Sequence, residues 1–432
     1  MPEAAFAGNP IAGDELMTDG KVVFVYSCFR AASTWFWSRL REHRGLCCYY
    51  EVFNEQLERL SLADISSVRP ENWRSRHPDS GPYLTEFVPL LGTTRGIAGF
   101  PAERPLGSRF IGRAGIEGPL DGDVEAYLAS LIQAAAESGR VPVITCTRML
   151  GRAAGLRMAF AGTHILLVRN LFEQWNSVYG QLRSGNDYFL RMVFNQLNFG
   201  RQDRFFSYLM SMFDERDQEC FENWMRDENS DAAFCCYIAS RIYLLLITRR
   251  HCDLVVDVAS LGNSARRGET GAALSRLLGV SVDLENFKQR VDYPKRIIQS
   301  PADCRKMINE LLERCLSEID ATGDERDYGH QLVEATWDAH ASFMAYTSGA
   351  RELIEQDAQR IVEMGAAMAS LTSRLRELVD QVARYEREAA ALRRGAEGRR
   401  LQAEAAEAHL RACRQEIATL EARLADAQRQ SS

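Results

Sequence analysis

Two segments of the chain place an arginine and hydroxyl side chains directly after a run of apolar residues. In the first segment, Arg30, Ser33 and Thr34 follow the run Val22–Tyr26. The run is typical of a buried strand, and Ser33 or Thr34 begins an amphipathic pattern typical of a helix. N–H groups at a helix start bind anions, because they lack intrahelical partners and the helix dipole is positive there. The segment indicates either an anion site beneath Arg30 or a strand-to-helix turn with an ordinary serine cap.

A second segment repeats this arrangement. The apolar run His164–Val168 ends on Arg169, and Ser177 follows within the next helical stretch. These two side chains can reach one phosphate only if the loop between them folds back tightly. Since the carboxyl ends of parallel strands meet at one edge of the sheet, the two segments together predict a ligand with two separated anionic groups.

Both segments resemble motifs of the sulfotransferases that use 3′-phosphoadenosine 5′-phosphosulfate (PAPS). The family's 5′-phosphosulfate loop has a lysine or arginine, a glycine and then Ser/Thr-Thr-Trp, and Phe29–Trp35 stands in its place. The family's 3′-phosphate motif begins Val-Arg-Asn/Asp-Pro and ends on a serine, which Val168–Asn170 and Ser177 match. Two positions differ, because Ala32 replaces the loop glycine and Leu171 replaces the usual proline.

The resemblance covers residues 21 to 300. It implies the sulfotransferase fold, an α/β fold in which a P-loop-like parallel sheet is flanked by helices. It also implies that Arg169 and Ser177 hold the 3′-phosphate of PAPS and that no metal takes part. The sulfuryl and 5′-phosphate groups are then expected to lie against Arg30, Ala31, Ala32, Ser33, Thr34 and Trp35.

A third segment, Thr147–Arg152, is similar to the Arg-Ser-Leu-Gly-Arg motif of a bacterial branch of the family. Arg148 and Arg152 are expected either to add positive charge near the donor or to orient an acidic acceptor. Surface ion pairing is the alternative interpretation of both residues.

Sulfuryl transfer needs a base to take the proton of the acceptor hydroxyl, while Arg30 stabilises the leaving oxygen. Glu51 follows the weaker strand candidate Leu46–Tyr50, and Glu55 lies one helical turn later. By resemblance, carbohydrate sulfotransferases use a glutamate in this neighbourhood, so Glu51 is the predicted base. His77 is the competing base or an acceptor contact. The third alternative is that neither residue is the base.

Short apolar runs alternate with helical stretches from Lys21 to about Ser348, which predicts an α/β domain with a mainly parallel sheet over residues 21–348. Residues 1–20 are expected to be a flexible segment. The apolar stretch Phe234–Thr248 carries Arg241 and is too short to span a membrane, so it is interpreted as a buried helix. The remaining strand candidates are Val141–Thr145 and Asp253–Asp257.

Composition excludes several classes of function. The 432 residues carry a net charge of −7, without the basic field of a nucleic-acid binder. None of the four lysines ends a glycine-rich loop, which argues against ATP or GTP hydrolysis and a kinase. The first 20 residues lack a basic start and an apolar segment, and the eleven cysteines lack framework or metal spacing. A cytoplasmic location is expected, with the pairs Cys47/Cys48 and Cys235/Cys236 in the core.

Residues 349–432 are predicted to form a coiled coil, because an apolar heptad seam runs from Ile354 to Ala427. One continuous helix of this length spans about 110 Å and should pair with a second copy to give a homo-oligomer. Gly395, Gly398 and Arg399 interrupt the seam, so a hinge is expected there. A lone helix held by surface ion pairs is the alternative.

These features together predict a cytoplasmic enzyme that moves a sulfuryl group from PAPS to an acceptor hydroxyl. By family analogy, the hydroxyl belongs to a carbohydrate or glycolipid. The alternative is a non-catalytic protein that binds PAPS, or its product 3′-phosphoadenosine 5′-phosphate (PAP), and acts through its coiled coil.

Overall fold

Five parallel strands form one sheet in the computed structural model, in the order β2-β3-β1-β4-β5. They are β1 (Val22–Ser27), β2 (Leu46–Tyr50), β3 (Val141–Cys146), β4 (Gly162–Val168) and β5 (Leu254–Asp257). Every residue of β1 and β2 is buried, as in a sheet covered on both faces. The α/β fold with a parallel sheet is confirmed, and each of the five strand candidates, including the weaker β2, forms a strand.

The structure describes residues 22–67, 82–92, 95–101, 110–213, 230–285, 287, 298–393 and 400–430. The helices of the first half are α1 (Ser33–Arg41), α2 (Leu62–Ser67), α3 (Gly122–Glu137), α4 (Ala153–Ala159), α5 (Leu171–Arg183) and α6 (Tyr188–Phe199). They are followed by α7 (Arg204–Met210), α8 (Ser230–Arg249), α9 (Ser264–Leu278), α10 (Pro301–Glu318), α11 (Gly323–Arg393) and α12 (Arg400–Gln430). Short 3-10 helices span Glu55–Glu58, Thr85–Leu90 and Ala259–Gly262.

The central strand β1 lies between β3 and β4. The chain leaves β1 towards β2 on one side of the sheet, and it leaves β4 towards β5 on the other side. Connections that diverge in this way open a crevice outside the carboxyl ends of the two strands, where ligands bind in open α/β sheets. The crevice between β1 and β4 is therefore where the two arginine-bearing segments meet.

Helix α8 runs through the core of the fold and is buried over nearly its whole length. By length and composition it is apolar enough to cross a membrane, but its residues pack inside the protein. The prediction of a buried helix is confirmed, with Arg241 buried within it. The paired cysteines Cys47/Cys48 and Cys235/Cys236 are also buried, as expected of core residues.

The chain forms two compact units, Met1–Ala341 and Ser342–Ser432. Helix α11 begins in the first unit, where Glu325 accepts a 2.6 Å hydrogen bond from Arg250. Asn170, which caps α5, donates to the backbone oxygen of Ala335 on α11 over 2.7 Å. The first turns of α11 are thus fixed to the sheet-bearing unit, close to Arg169.

In the second unit, α12 packs against the last part of α11 as an antiparallel hairpin. The rings of Tyr385 and His409 stack with centroids 5.4 Å apart, and Arg414 bonds Glu386 at 2.6 Å. Leu378 is 1% exposed. The later part of the seam is therefore buried between α11 and α12 of the same chain.

The predicted break at Gly395, Gly398 and Arg399 lies outside the described residues, between the end of α11 and the start of α12. A glycine-bearing gap in the seam is a natural place for such a reversal, because Gly costs about 1 kcal/mol relative to Ala inside a helix. Earlier in α11 the seam residues Ile354 and Ile361 are 68% and 62% exposed, and the neighbouring Val362 is 66% exposed.

Candidate functional site

The loop after β1 adopts a conformation that suits an anion. Arg30 and Ala32 both have left-handed backbone angles, with φ of 64° and 58°. Such a conformation is uncommon for residues other than glycine and costs about 1 to 3 kcal/mol. Turns of this kind aim successive N–H groups into one concavity, which attracts anions. Ala32 thus adopts the left-handed conformation that favours glycine.

Helix α1 begins immediately after this loop. Ala32 is its N-cap residue and supplies no side-chain hydrogen bond, so the alternative of an ordinary serine cap is wrong. The first N–H groups of a helix have no intrahelical partner. The hydroxyls of Ser33 and Thr34 face the Tyr50 hydroxyl, at 3.4 and 2.6 Å. Trp35 packs edge-on against Phe287, with ring centroids 4.7 Å apart.

The two predicted anion segments are in direct contact at the crevice. The Nε atom of Arg30 donates a 2.8 Å hydrogen bond to the Ser177 hydroxyl. Arg169 donates over 3.0 Å to the backbone oxygen of Arg30, and its Nε atom also lies 3.0 Å from the carboxylate of Glu173. The loop after β4 therefore folds back tightly, as the spacing of Arg169 and Ser177 requires. The two segments form one continuous site.

Glu51 lies at the carboxyl end of β2 and is buried. Its backbone is left-handed, with φ of 53°. This conformation is unfavourable for a residue other than glycine, so the surrounding structure must stabilise it. Its carboxylate accepts hydrogen bonds from the Thr147 backbone N–H (3.2 Å) and the Thr147 hydroxyl (3.0 Å). Burial raises the pKa of this carboxyl group, against the opposing effects of Arg148 and Thr147.

Arg148 lies between two carboxylates. Its guanidinium is buried, 3.5 Å from Glu51 and 2.7 Å from Glu55. It also donates to the Tyr188 hydroxyl, which in turn donates to Glu55 over 3.3 Å. Surface ion pairing is therefore wrong for Arg148, because its charge is balanced inside the protein. The side chain of Glu55 is 36% exposed, so this carboxylate reaches solvent.

Arg152 is also buried, over the ring of Phe53 and 3.8 Å from the Asp121 carboxylate. Surface ion pairing is wrong here too. Gly151 explains how this turn fits: a Cβ atom at that position would lie 2.6 Å from the backbone oxygen of Phe110. Gly151 therefore permits its backbone to pack closely against that of Phe110 and Ile111.

His77, the competing base, lies outside the described residues. Sequence reasoning missed Tyr50, Thr147 and Tyr188, which hold the hydroxyls of α1, the Glu51 carboxylate and the Arg148 guanidinium. Thr147 could have been identified from the sequence, since it is a polar residue just past a buried strand. Tyr188 could not, because its partners are distant in the sequence.

Within the ranges that the structure describes, no group of three or more His, Cys, Asp or Glu side chains could hold a metal ion. The chain matches no protein-family model, no curated protein and no solved structure.

Proposed function

We propose that the chain is a PAPS-dependent sulfotransferase, which transfers the sulfuryl group of PAPS to an acceptor hydroxyl and releases PAP. One observation carries the proposal above the others. Arg30, from the segment that resembles the 5′-phosphosulfate loop, is hydrogen-bonded to Ser177, from the segment that resembles the 3′-phosphate motif. Two motifs for opposite ends of one donor thus converge at the crevice where α/β sheets bind ligands.

The residues of this crevice fit a donor with two anionic ends. Around the loop after β1, the left-handed turn and the start of α1 supply N–H donors and a positive helix end for the phosphosulfate. At the neighbouring strand end, Arg169 and Ser177 supply a cation and a hydroxyl for the 3′-phosphate. PAPS, when bound, brings the activated sulfuryl group. The chain's own residues orient it and neutralise its charge.

Arg30 has the role of stabilising the negative charge that develops on the leaving oxygen, since a guanidinium stays protonated throughout. Glu51 has the role of the base that accepts the proton of the acceptor hydroxyl. Its hydrogen bonds from Thr147 fix the orientation of the carboxylate. Its raised pKa makes it a stronger base than a solvent-exposed glutamate. If the proton goes elsewhere, His77 is the alternative base.

The acceptor in this proposal is a hydroxyl on a carbohydrate or glycolipid, by analogy with the family. Glu55 and Tyr188 offer a carboxylate and a hydroxyl at the exposed margin of the Glu51 cluster, where polar groups of a sugar could bind. A cytoplasmic location suits the ten described cysteines, none of which forms a disulfide. A nucleic-acid acceptor does not suit a chain with a net charge of −7.

The second unit is proposed to join two copies of the chain within residues 354–427. The hairpin already covers the later part of the seam, so the contact is expected at the exposed Ile354, Ile361 and Val362. The non-catalytic alternative, a PAP- or PAPS-binding scaffold that acts through this unit, predicts donor binding without turnover.

Calorimetry with PAP, 5′-AMP, ATP and GTP tests the donor assignment. PAP should bind much more tightly than 5′-AMP, and Arg169→Ala should remove most of that preference, on the order of 2 to 3 kcal/mol or about 30- to 150-fold. The control is Arg44→Ala, because Arg44 is exposed and precedes β2 at the opposite edge of the sheet. Equal affinity of the wild-type protein for PAP and 5′-AMP would falsify the PAPS assignment.

A further inference from the structure

Tyr50 joins the end of β2 to the start of α1. Its hydroxyl lies 2.6 Å from the Thr34 hydroxyl and 3.4 Å from the Ser33 hydroxyl, and in each contact either oxygen can be the donor. Tyr50 is the last residue of β2 and directly precedes Glu51. Although Tyr50 belongs to β2, its hydroxyl therefore lies at the helix start that follows the Arg30 loop.

The attachment of α1 to β2 does not depend on this hydroxyl. The Nε1 atom of Trp37 on α1 donates a 2.7 Å hydrogen bond to the backbone oxygen of Cys48 on β2. The ring of Tyr50 packs against the ring of Trp37, with centroids 4.9 Å apart, and edge-on against Tyr83 at 6.0 Å. These contacts remain when the hydroxyl is removed, so its effect is expected at the two hydroxyls of the helix start.

All three hydroxyls are buried. A hydroxyl rotates about its C–O bond, so its proton has a fixed direction only when a partner sets it. Burial raises the pKa of the Tyr50 phenol, so this group stays protonated and can donate. When Tyr50 donates to the Thr34 oxygen, Thr34 keeps its own proton for a second hydrogen bond. Tyr50 thus sets the direction in which the helix start donates.

The contacts of the Tyr50 hydroxyl lie at one end of the proposed donor site. Ser33 and Thr34 belong to the end that receives the phosphosulfate, whereas Arg169 and Ser177 form the end that receives the 3′-phosphate. We propose that Tyr50 is a positioning residue of the 5′ end, which acts through the hydroxyls of Thr34 and Ser33 and raises the affinity of that end alone. This inference rests on the proposed function for the identity of the two ends, but not for the binding of an anion at the start of α1.

Two isomeric nucleotides separate the two ends, because 5′-AMP and 3′-AMP carry one phosphate monoester each at different positions of the ribose. Tyr50→Phe keeps the ring and removes only the hydroxyl. The affinity for 5′-AMP and for PAP should fall by about three- to tenfold, the usual effect of one hydrogen bond, while the affinity for 3′-AMP should not change. Calorimetry measures all three. An equal loss for both isomers would mean that Tyr50 only supports the fold, and would overturn the proposal.

A double-mutant cycle tests whether Tyr50 acts through Thr34. Thr34→Val removes the hydroxyl partner and nearly keeps the shape of the side chain. In this background Tyr50→Phe should lower the affinity for 5′-AMP by less than about twofold, because residues that act through one contact are not additive. The full loss in the Thr34→Val background would contradict the proposal.

Tyr127→Phe is the matched control. The buried Tyr127 hydroxyl also reaches the end of β2, where it donates over 3.0 Å to the backbone oxygen of Val52. Its removal should leave the affinity for both isomers unchanged. A loss for 5′-AMP as large as that in Tyr50→Phe would mean that any disturbance at this strand end weakens binding, and the specific role of Tyr50 would be wrong.

Pyrophosphate provides a test that does not depend on the nucleotide. If the wild-type protein binds pyrophosphate but neither PAP nor 5′-AMP, the PAPS assignment fails. Weaker pyrophosphate binding in Tyr50→Phe, with unchanged binding in Tyr127→Phe, would still support the role of Tyr50. Unchanged pyrophosphate affinity in Tyr50→Phe, or a wild-type protein that binds neither pyrophosphate nor any of the nucleotides, would contradict it.

Discussion

The carboxyl edge of the sheet carries two arginine clusters that differ in how their charge is balanced. On the β2–β3 side, Arg148 is enclosed by Glu51 and Glu55, and a Tyr188 hydrogen bond completes the cluster. On the β1–β4 side, Arg30 bonds the Ser177 hydroxyl, and Arg169 lies beside the Glu173 carboxylate. The first cluster encloses its arginine between two carboxylates, which fix its position without a ligand. The second brings two guanidinium groups together at the crevice, where positive charge attracts an anion.

In the proposed function the two clusters have different roles. The β2–β3 side holds the carboxylate of the base in one orientation, and the β1–β4 side binds the donor. Changes on the first side should therefore alter turnover or stability while donor affinity stays nearly constant. On the second side, changes should alter donor affinity first.

The largest expected effect is on turnover. Glu51→Gln should lower it by about 10² to 10⁴, the usual contribution of a general base, while PAP affinity stays within a few fold. Glu58→Gln, a change three residues beyond Glu55 in the same 3-10 helix, is the matched control. Steady-state kinetics and calorimetry measure the two quantities. Near-normal turnover in Glu51→Gln would show that the base is elsewhere, and His77→Asn becomes the next test.

Stability should fall much more on the loss of one buried arginine than on the loss of the other. Arg148→Met leaves Glu51 and Glu55 without their cation and should lower the free energy of unfolding by about 3 to 5 kcal/mol. Arg241→Met removes a buried charge that forms no ion pair with any carboxylate of the described residues, and should lower the free energy of unfolding little or not at all. Denaturant unfolding of both variants compares them directly. Equal losses would mean that the carboxylates beside Arg148 do not distinguish it energetically from Arg241.

The pH dependence of turnover reports the state of Glu51. A base must be deprotonated, so turnover should rise with pH, and its midpoint should lie above 4.5 because burial raises the pKa of this carboxyl. Thr147→Val removes a hydroxyl that donates to the carboxylate and lowers its pKa, so the midpoint should move to higher pH. Ser130→Ala, on the outer helix α3, should leave the midpoint unchanged. A midpoint that does not move in Thr147→Val would show that the titration of Glu51 does not control turnover.

The smallest effect on ligand binding is expected from the second unit. Truncation after Ser348 removes none of the crevice residues and should leave PAP affinity unchanged while reducing the size of the particle. Ile361→Lys should have the same effect on size without loss of helix, because Ile361 is exposed. Leu378→Lys should unfold the hairpin, because Leu378 is buried. Light scattering measures the size of the particle, and circular dichroism measures its helix content. A monomeric full-length chain would contradict pairing between copies.

The sheet could be read from the sequence because buried parallel strands are continuous apolar runs, and all five are strands in the structure. The loop after β1 could be located for the same reason, since Arg30 follows such a run directly. The hairpin could not be foreseen, because a heptad seam looks the same whether it pairs with its own chain or with another copy. The burial of Arg148 was hidden too, since both carboxylates that balance it lie more than 90 residues away.

The most direct test of the donor site is a ³¹P NMR titration of PAP, whose two phosphates give separate signals. Both signals should shift when wild-type protein is added. Arg169→Ala should abolish the shift of the 3′-phosphate alone, and Arg30→Ala should reduce that of the 5′-phosphate. Unchanged signals with the wild-type protein, or a 3′-phosphate signal that is indifferent to Arg169, would contradict the assignment of the two strand ends to the two ends of one donor.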